Sequence, residues 1–254
     1  MMSIHPEARA GFARAAAAYE RGRPDYPPAA VGWLASHLGL EPGKVVVDIG
    51  AGTGKLTRQL VPYGLHLIAI EPVEEMAMEL RRAVAGVDVL AASAAETTLA
   101  SGTVDAVTAG QAFHWFADQH SLREIHRILR PGGRLGLVWN RRDSRSRLWQ
   151  EVAEMIDPLR RGTPDHSTGE WRQQLEASSL FGPLESRAFT HEQSASTEQL
   201  VDRVLSLSFV ANSPEPAQQR LRQQVLELAG SYQDQPGLRI ALPYRTEVFA
   251  CSAC

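Results

Sequence analysis

The sequence predicts an α/β protein in which parallel strands lie between helices and a ligand site forms where the strands end. Three observations predict it. The β-branched run Val45-Val46-Val47 passes through Asp48 and Ile49 into the glycine-dense turn Gly50-Ala51-Gly52-Thr53-Gly54, and helical spacing follows from Lys55 to Leu60. Strand, tight turn and helix in this order open a nucleotide-binding α/β unit. Strand-like and helical segments then alternate as far as Trp139, the pattern of a layered sheet covered by helices. The chain has 254 residues, 44% hydrophobic and 22% charged, enough for one such domain with an elaboration.

The elements follow in order. Residues 10–21 read as an Ala-rich helix, broken by Arg23-Pro24-Asp25-Tyr26-Pro27-Pro28; residues 29–38 read as a second helix. A turn at 41–44 leads into strand one. Strand two, residues 65–70, ends at Glu71-Pro72, and a helix over 73–85 presents Met76, Leu80 and Val84 on one face. Residues 87–92 form a third strand, followed by Ser93-Ala94-Ala95-Glu96. Strand four, residues 103–110, runs into Gln111-Ala112-Phe113-His114-Trp115-Phe116. A helix over 121–129 stops at Arg130-Pro131-Gly132-Gly133, since proline and paired glycine end helices, and strand five covers 134–139. The basic run 141–147 reads as a solvated loop. Helices are predicted over 148–159, 171–180, 197–209 and 216–229, a loop over 160–169, a sixth strand over 185–191 and a last strand over 238–250. Cys251 and Cys254, the two cysteines of the chain, are expected as free thiols in a frayed tail.

Glycine spacing selects among ligands. The dinucleotide fingerprint needs a glycine where Lys55 stands; a phosphate loop needs a glycine at Ile49 and a hydroxyl at Leu56. What stands here, Asp48-x-Gly50-x-Gly52-x-Gly54, resembles motif I of the class I S-adenosylmethionine-dependent methyltransferases. Arg23-Pro24-x-Tyr26-Pro27 ahead of the core and Leu129-Arg130-Pro131-Gly132-Gly133 before strand five are similar to further elements of that family. His114-Trp115-Phe116 resembles a subgroup that includes the trans-aconitate methyltransferases.

The resemblance implies a Rossmann-like, doubly wound seven-stranded sheet with an antiparallel last strand, an N-terminal segment and a helical lid insertion. Residues 1–40 would be the N-terminal helical cap, and 41–254 the methyltransferase domain with its insertion near 196–230. S-Adenosylmethionine would be the cofactor and S-adenosylhomocysteine its product. Asp48 would help organise the ammonium pole beside Gly50, Gly52 and Gly54. Glu71, an acid at the end of strand two, is placed for a ribose diol, with Pro72 and Met76 behind it. Ala94, Ala95 and Glu96 would meet the adenine, the latter two through their backbone. Gln111, Ala112, His114 and Trp115 would line the site after strand four. Tyr19, Arg23 and Tyr26 would fold over the cofactor, Arg23 toward its carboxylate.

A net charge of −3 with a pI near 6.3 carries no electrostatic footprint for nucleic acid. No apolar stretch reaches membrane-spanning length, and no signal-peptide core opens the chain; a cytoplasmic monomer or homodimer is expected. No metal site is predicted, because two cysteines cannot complete a tetrahedral zinc site. The Asp/Asn-Pro-Pro-aromatic signature of base methylation is absent after strand four, where Gln111-Ala112-Phe113-His114 stands. The acceptor is therefore expected to be a small molecule, methylated at oxygen, as in a carboxylic acid or secondary metabolite, with nitrogen, carbon and sulfur left open. His114 is the candidate base, and Arg145, Arg147 and His191 are candidate partners for an acidic substrate. The alternatives are a non-catalytic S-adenosylmethionine-binding protein and a nicotinamide-dependent oxidoreductase.

Overall fold

The computed structural model describes residues 6–160, 165–233 and 238–254. Seven strands form one sheet: β1 (Val45–Ile49), β2 (His66–Ile70), β3 (Asp88–Leu90), β4 (Val104–Gly110), β5 (Leu129–Arg142), β6 (Glu185–Ala195) and β7 (Ile240–Ser252), in the order β3-β2-β1-β4-β5-β7-β6. The first five are parallel, and β7 runs antiparallel between β5 and β6. The chain leaves β1 for β2 on one side and later returns to β4 on the other. That reversal opens a crevice at the strand ends, where ligands bind in such sheets.

The helices are α1 (Pro6–Gly22), α2 (Pro28–Leu38), α3 (Thr57–Leu60), α4 (Glu74–Ala83), α5 (Gln119–Ile128), α6 (Arg147–Ile156), α7 (Glu170–Ser178), α8 (Thr197–Leu205), α9 (Ser208–Ala211) and α10 (Glu215–Ser231). One face of the sheet packs Val47, Val107 and Leu135 against Leu122 and Ile125 of α5 and Trp171 of α7. The opposite face packs Val46, Ala106, Val138 and Val248 against Ala30 and Leu34 of α2. A separate core joins Trp149 and Val152 of α6, Leu200 and Val204 of α8 and Val225 of α10 to Ile240, Leu242 and Tyr244 of β7. The helices between β6 and β7 thus have their own apolar support. No described helix is long and apolar enough to cross a membrane.

Several local expectations change on folding. Strand β5 begins at Leu129, and Pro131-Gly132-Gly133 lies inside it: pairing with β4 steps from Val104–Leu129 to Ala106–Arg134. The unpaired residues form a bulge, which suits a proline without an N–H and a glycine at φ +76°. The strand also continues through Arg142, because Trp139 to Arg142 pair with Glu247 to Tyr244 of β7; partners so distant in sequence leave no local signal. The expected single helix over 197–209 divides into α8 and α9 around Ser206 and Leu207, where Ser206 Oγ donates to Arg203 O at 3.2 Å. The tail is not frayed. Cys251 pairs with Leu135 within the sheet, burial pushes its thiol up to about 12, and Cys254 N donates to Leu180 O at 2.9 Å. Both thiols are free.

Helix α1 lies across α8 and α9 at a separation that only glycine permits. A Cβ on Gly11 would stand 2.6 Å from Ser208 O, and one on Gly22 would stand 2.4 Å from Arg203 N. Backbone cannot give way as a flexible side chain can. Gly22→Ala is expected to cost about 1–3 kcal/mol through overpacking. Hydrogen exchange should show α1 amides losing protection while β1 and β4 amides keep theirs; unchanged α1 protection would disprove the close docking.

Candidate active site

The site begins where β1 stops. Gly50 and Gly52 take φ of +66° and +59°, left-handed values that glycine adopts without steric cost. A Cβ on Gly50 would stand 2.7 Å from Ala112 Cβ, whereas one on Gly52 would meet nothing within 4 Å and project into open space. The turn is tied to the end of β2: Gly50 N and Ala51 N donate to Ile70 O, at 2.8 and 3.2 Å. Glu71 completes the tie, accepting from Gly52 N on one carboxylate oxygen and from Val73 N on the other, both at 2.8 Å. Burial raises the Glu71 carboxyl to about 7 despite these two hydrogen bonds, which favour its charged form. Gly54 does a different job. A Cβ there would stand 3.0 Å from both Leu80 and Val84, so its bareness lets the turn pack on α4 and its C-terminal end.

Around this turn lies a cavity of about 930 Å³, its open mouth included. Of the residues expected from the sequence, Tyr19, Gly50, Gly52, Glu71, Pro72, Met76, Ala94, Ala95, Gln111, Ala112 and Trp115 line it. Ile70, Val73, Ser93, Phe116, Asp118 and Ser121 also line it and were missed. Asp118 had a readable signal as an acid preceding a helix. Its Oδ1 caps α5 by accepting from His120 N and Ser121 N, both at 2.9 Å.

Other expected residues stand elsewhere. Asp48 is fully buried and faces away from the cavity, accepting from the hydroxyls of Thr57 at 2.6 Å and Thr108 at 2.9 Å. It ties β1 to β4 and to the start of α3, and burial raises its carboxyl to about 6. Tyr26 packs beneath the site, its hydroxyl 2.6 Å from where a Cβ on Gly110 would be. Glu96 is exposed and outside the cavity. Arg23 and His114 line a second cavity.

That second cavity, of about 1160 Å³, meets the first at Tyr19, Gln111 and Trp115. Gln111 holds a φ of +60°, uncommon for a residue with a Cβ. It is secured by N–H donation to Val138 O at 2.8 Å and by Nε2 donation to Asn140 O at 2.9 Å. Asn140 in turn donates to Asp25 O at 3.2 Å and accepts from Thr246 Oγ1 at 2.6 Å, fastening the segment after α1 to β5 and β7. One wall is aromatic. Trp139 Nε1 donates to His114 Nδ1 at 3.2 Å, so the neutral ring, by this hydrogen-bond assignment, carries its proton on Nε2. Burial and the neighbouring His166 lower His114 to about 3, and burial lowers His166 to about 4. Five arginines also line the cavity: Arg23, Arg141, Arg142, Arg160 and Arg203. Asp165, its carboxylate among the described lining residues, pairs with Arg160. Arg145 and Arg147 lie outside, exposed and paired with Asp143 and Glu151. His191 lies on β6, stacked on Tyr244, with Nδ1 3.2 Å from Thr246 Oγ1.

The raised carboxyl of Glu71 gives a sign for pH dependence. Its folded value of about 7 exceeds the ordinary 4.5, so the folded state holds the proton longer. Stability from this group is full below about 4.5 and is lost as pH rises to about 7. In urea titrations, wild type should lose on the order of 3 kcal/mol across that window relative to Glu71→Gln. Parallel curves for the two proteins would show that Glu71 is not so perturbed.

Comparison with known proteins fits this geometry. A family profile described as a methyltransferase domain matches residues 47–137. An uncharacterized methyltransferase of Mycobacterium tuberculosis is 39% identical over 245 residues, covering 92% of each chain. An uncharacterized methyltransferase-like protein of Schizosaccharomyces pombe is 32% identical over 234 residues, covering 91% of each. Among solved structures, phosphoethanolamine N-methyltransferase 2 of Haemonchus contortus, in complex with S-adenosyl-L-methionine, shares the fold with a TM-score of 0.55 and 15% identity, covering 100% of this chain and 60% of that one. A geranyl diphosphate methyltransferase solved with the same ligand gives 0.51 at 15% identity, covering 89% and 85%. With its glycine turn, the acid ending β2 and relatives alike over nearly their whole length, the chain belongs to the class I S-adenosylmethionine-dependent methyltransferase family.

Proposed function

We propose that the protein methylates a carboxylate oxygen of a small-molecule acid seated in the second cavity, with S-adenosylmethionine in the first. The observation that carries this reading is the junction of the two cavities at Tyr19, Gln111 and Trp115, beside a second cavity without a suitable base. Among its described lining residues, His114 and His166 are lowered to about 3 and about 4 and are poor proton acceptors, and Asp165 is ion-paired. A phenol or amine acceptor would need a proton removed. A carboxylate arrives already ionised.

The first cavity suits the cofactor by its donor set. Each Glu71 oxygen accepts one backbone N–H and keeps lone-pair capacity for a ribose hydroxyl. Met76, Ile70 and Phe116 offer apolar walls for a base, with the small Ala94 and Ala95 beside them. The bare Gly52 leaves its backbone open to the amino-acid end. When bound, the cofactor supplies a methyl group activated by a sulfonium. The chain's residues align the acceptor and exclude water, which is worth roughly 7–11 kcal/mol. Asp48 and Tyr26 act through the turn and strand ends they support. His114, with its proton on Nε2, is a hydrogen-bond donor to the acceptor. The N-terminal segment and the insertion act as cap and lid: α1 and the segment after it bring Tyr19 and Arg23, and the insertion brings Arg203, Leu207 and Phe209.

Saturating S-adenosylhomocysteine, at about one hundred times its dissociation constant, should add roughly 2.7 kcal/mol of stability. Turnover of a carboxylic acid at saturating cofactor should give kcat profiles of the same shape against pH in wild type and in His114→Ala, with a lower kcat in the variant, because an inflection near 7 belongs to Glu71. A wild-type inflection that His114→Ala abolishes, or turnover restricted to phenols, would overturn the carboxylate reading. Cofactor binding with no turnover of any acceptor would favour a binding protein.

A further inference from the structure

We infer that the acceptor bears at least two anionic groups, one presented to the methyl donor and the rest held by Arg23, Arg142 and Arg203. The inference rests on the second cavity being the acceptor site.

Of the arginines lining that cavity, Arg160 is neutralised by Asp165 and Arg141 lies 3.5 Å from Glu247. Among the described residues, no carboxylate pairs with the other three. Their guanidiniums lie instead against rings: Arg23 is 4.7 Å from the centroid of Tyr19, Arg142 is 5.8 Å from that of Trp149, and Arg203 is 6.0 Å from those of Trp149 and Tyr244. Arg203 is only 4% exposed. Its Nε donates to Tyr244 Oη at 3.2 Å, but one terminal nitrogen is buried without a hydrogen-bond partner. Arg23 Nε is likewise buried and unpartnered.

A buried charge without a counter-ion is costly, and here the charges also repel one another. Burial and nearby arginines together lower both Arg23 and Arg142 to about 10. The three come from separate places: the segment after α1, the end of β5 and α8. Their convergence on one cavity, with donors left unpartnered, is a preformed anion site. Guanidinium forks accept carboxylate and phosphate alike, so the shared chemistry is a multivalent oxyanion. A monocarboxylate, placed with its one charge at the methyl donor, leaves this wall uncompensated. Methylation turns a carboxylate into a neutral ester, so the product carries one negative charge fewer than the acceptor and is held less tightly.

The test is isothermal titration of the full chain saturated with S-adenosylhomocysteine, at constant ionic strength. The probes are propionate, tricarballylate and glycerol 3-phosphate. At least one multivalent probe should bind about tenfold or more tightly than propionate, and the tighter of the two identifies carboxylate or phosphate as the source. Arg142→Met and Arg203→Met should each erase most of that preference, while Arg142→Lys retains part of it. Arg142→Met should also raise the melting temperature of the ligand-free protein by a few degrees, because it removes a repelling charge; a structural arginine would lower it. Equal affinity for all three probes, or a preference unchanged in both Met variants, would overturn the inference. Failure of S-adenosylhomocysteine itself to bind would instead count against the proposed function.

Discussion

The arrangement of the site depends on one carboxylate held between two backbone N–H groups. Glu71 accepts from the glycine turn on one side and from the residue ahead of α4 on the other. It thereby fixes the turn, the end of β2 and the start of α4 as one unit. Burying this charge is unfavourable, as its raised carboxyl shows, and two hydrogen bonds offset only part of the penalty. Asp48 does the same work one strand over, binding β1 to β4 and α3 through two threonine hydroxyls. Of these two acids at adjacent strand ends, Glu71 faces the cavity and Asp48 holds the framework beneath it.

Helix α1 and the segment after it are coupled to the same turn. Thr53 donates to Glu20 of α1 at 2.5 Å, and Arg58 bridges Glu20 and Asp25 at 2.6 and 2.7 Å. Lys55 adds contacts of 3.4 Å to both acids. Tyr19 lies one residue from Glu20, so the ring between the cavities is positioned partly by ion pairs made on the outside of the turn. Partly exposed pairs of this kind are individually weak, but here they converge on one short segment.

The lining of the first cavity was largely legible in the sequence. Its residues lie at strand ends, and strand ends are marked by local chemistry: a β-branched run, a glycine turn, an acid before a proline. Asp48 stands outside the cavity because Thr57 and Thr108 hold it inward, and its position next to the turn says nothing of which way the side chain points. The arginine wall was illegible for a different reason. Arg23, Arg142 and Arg203 are far apart in sequence: Arg23 reads as a partner of the cofactor carboxylate, Arg142 as part of a solvated basic run and Arg203 as a helix surface charge, while Arg145 and Arg147, whose spacing suggests a cluster, prove exposed. The end of β5 and the pinned C-terminus were missed because each pairs with residues about a hundred positions away, Arg142 with Tyr244 and Cys251 with Leu135.

The two cavities draw on different stretches of chain. The first is lined, Tyr19 apart, by residues from Ile49 to Ser121; the second draws mostly on residues from Trp139 to Phe209. Only Tyr19, Gln111 and Trp115 belong to both. If the second cavity holds the acceptor as proposed, substitutions in the later stretch alter what is methylated while leaving the means of methylation untouched. On that proposal selectivity is portable: grafting the later stretch from another member of the fold would carry its acceptor preference across, provided the three residues at the junction came with it.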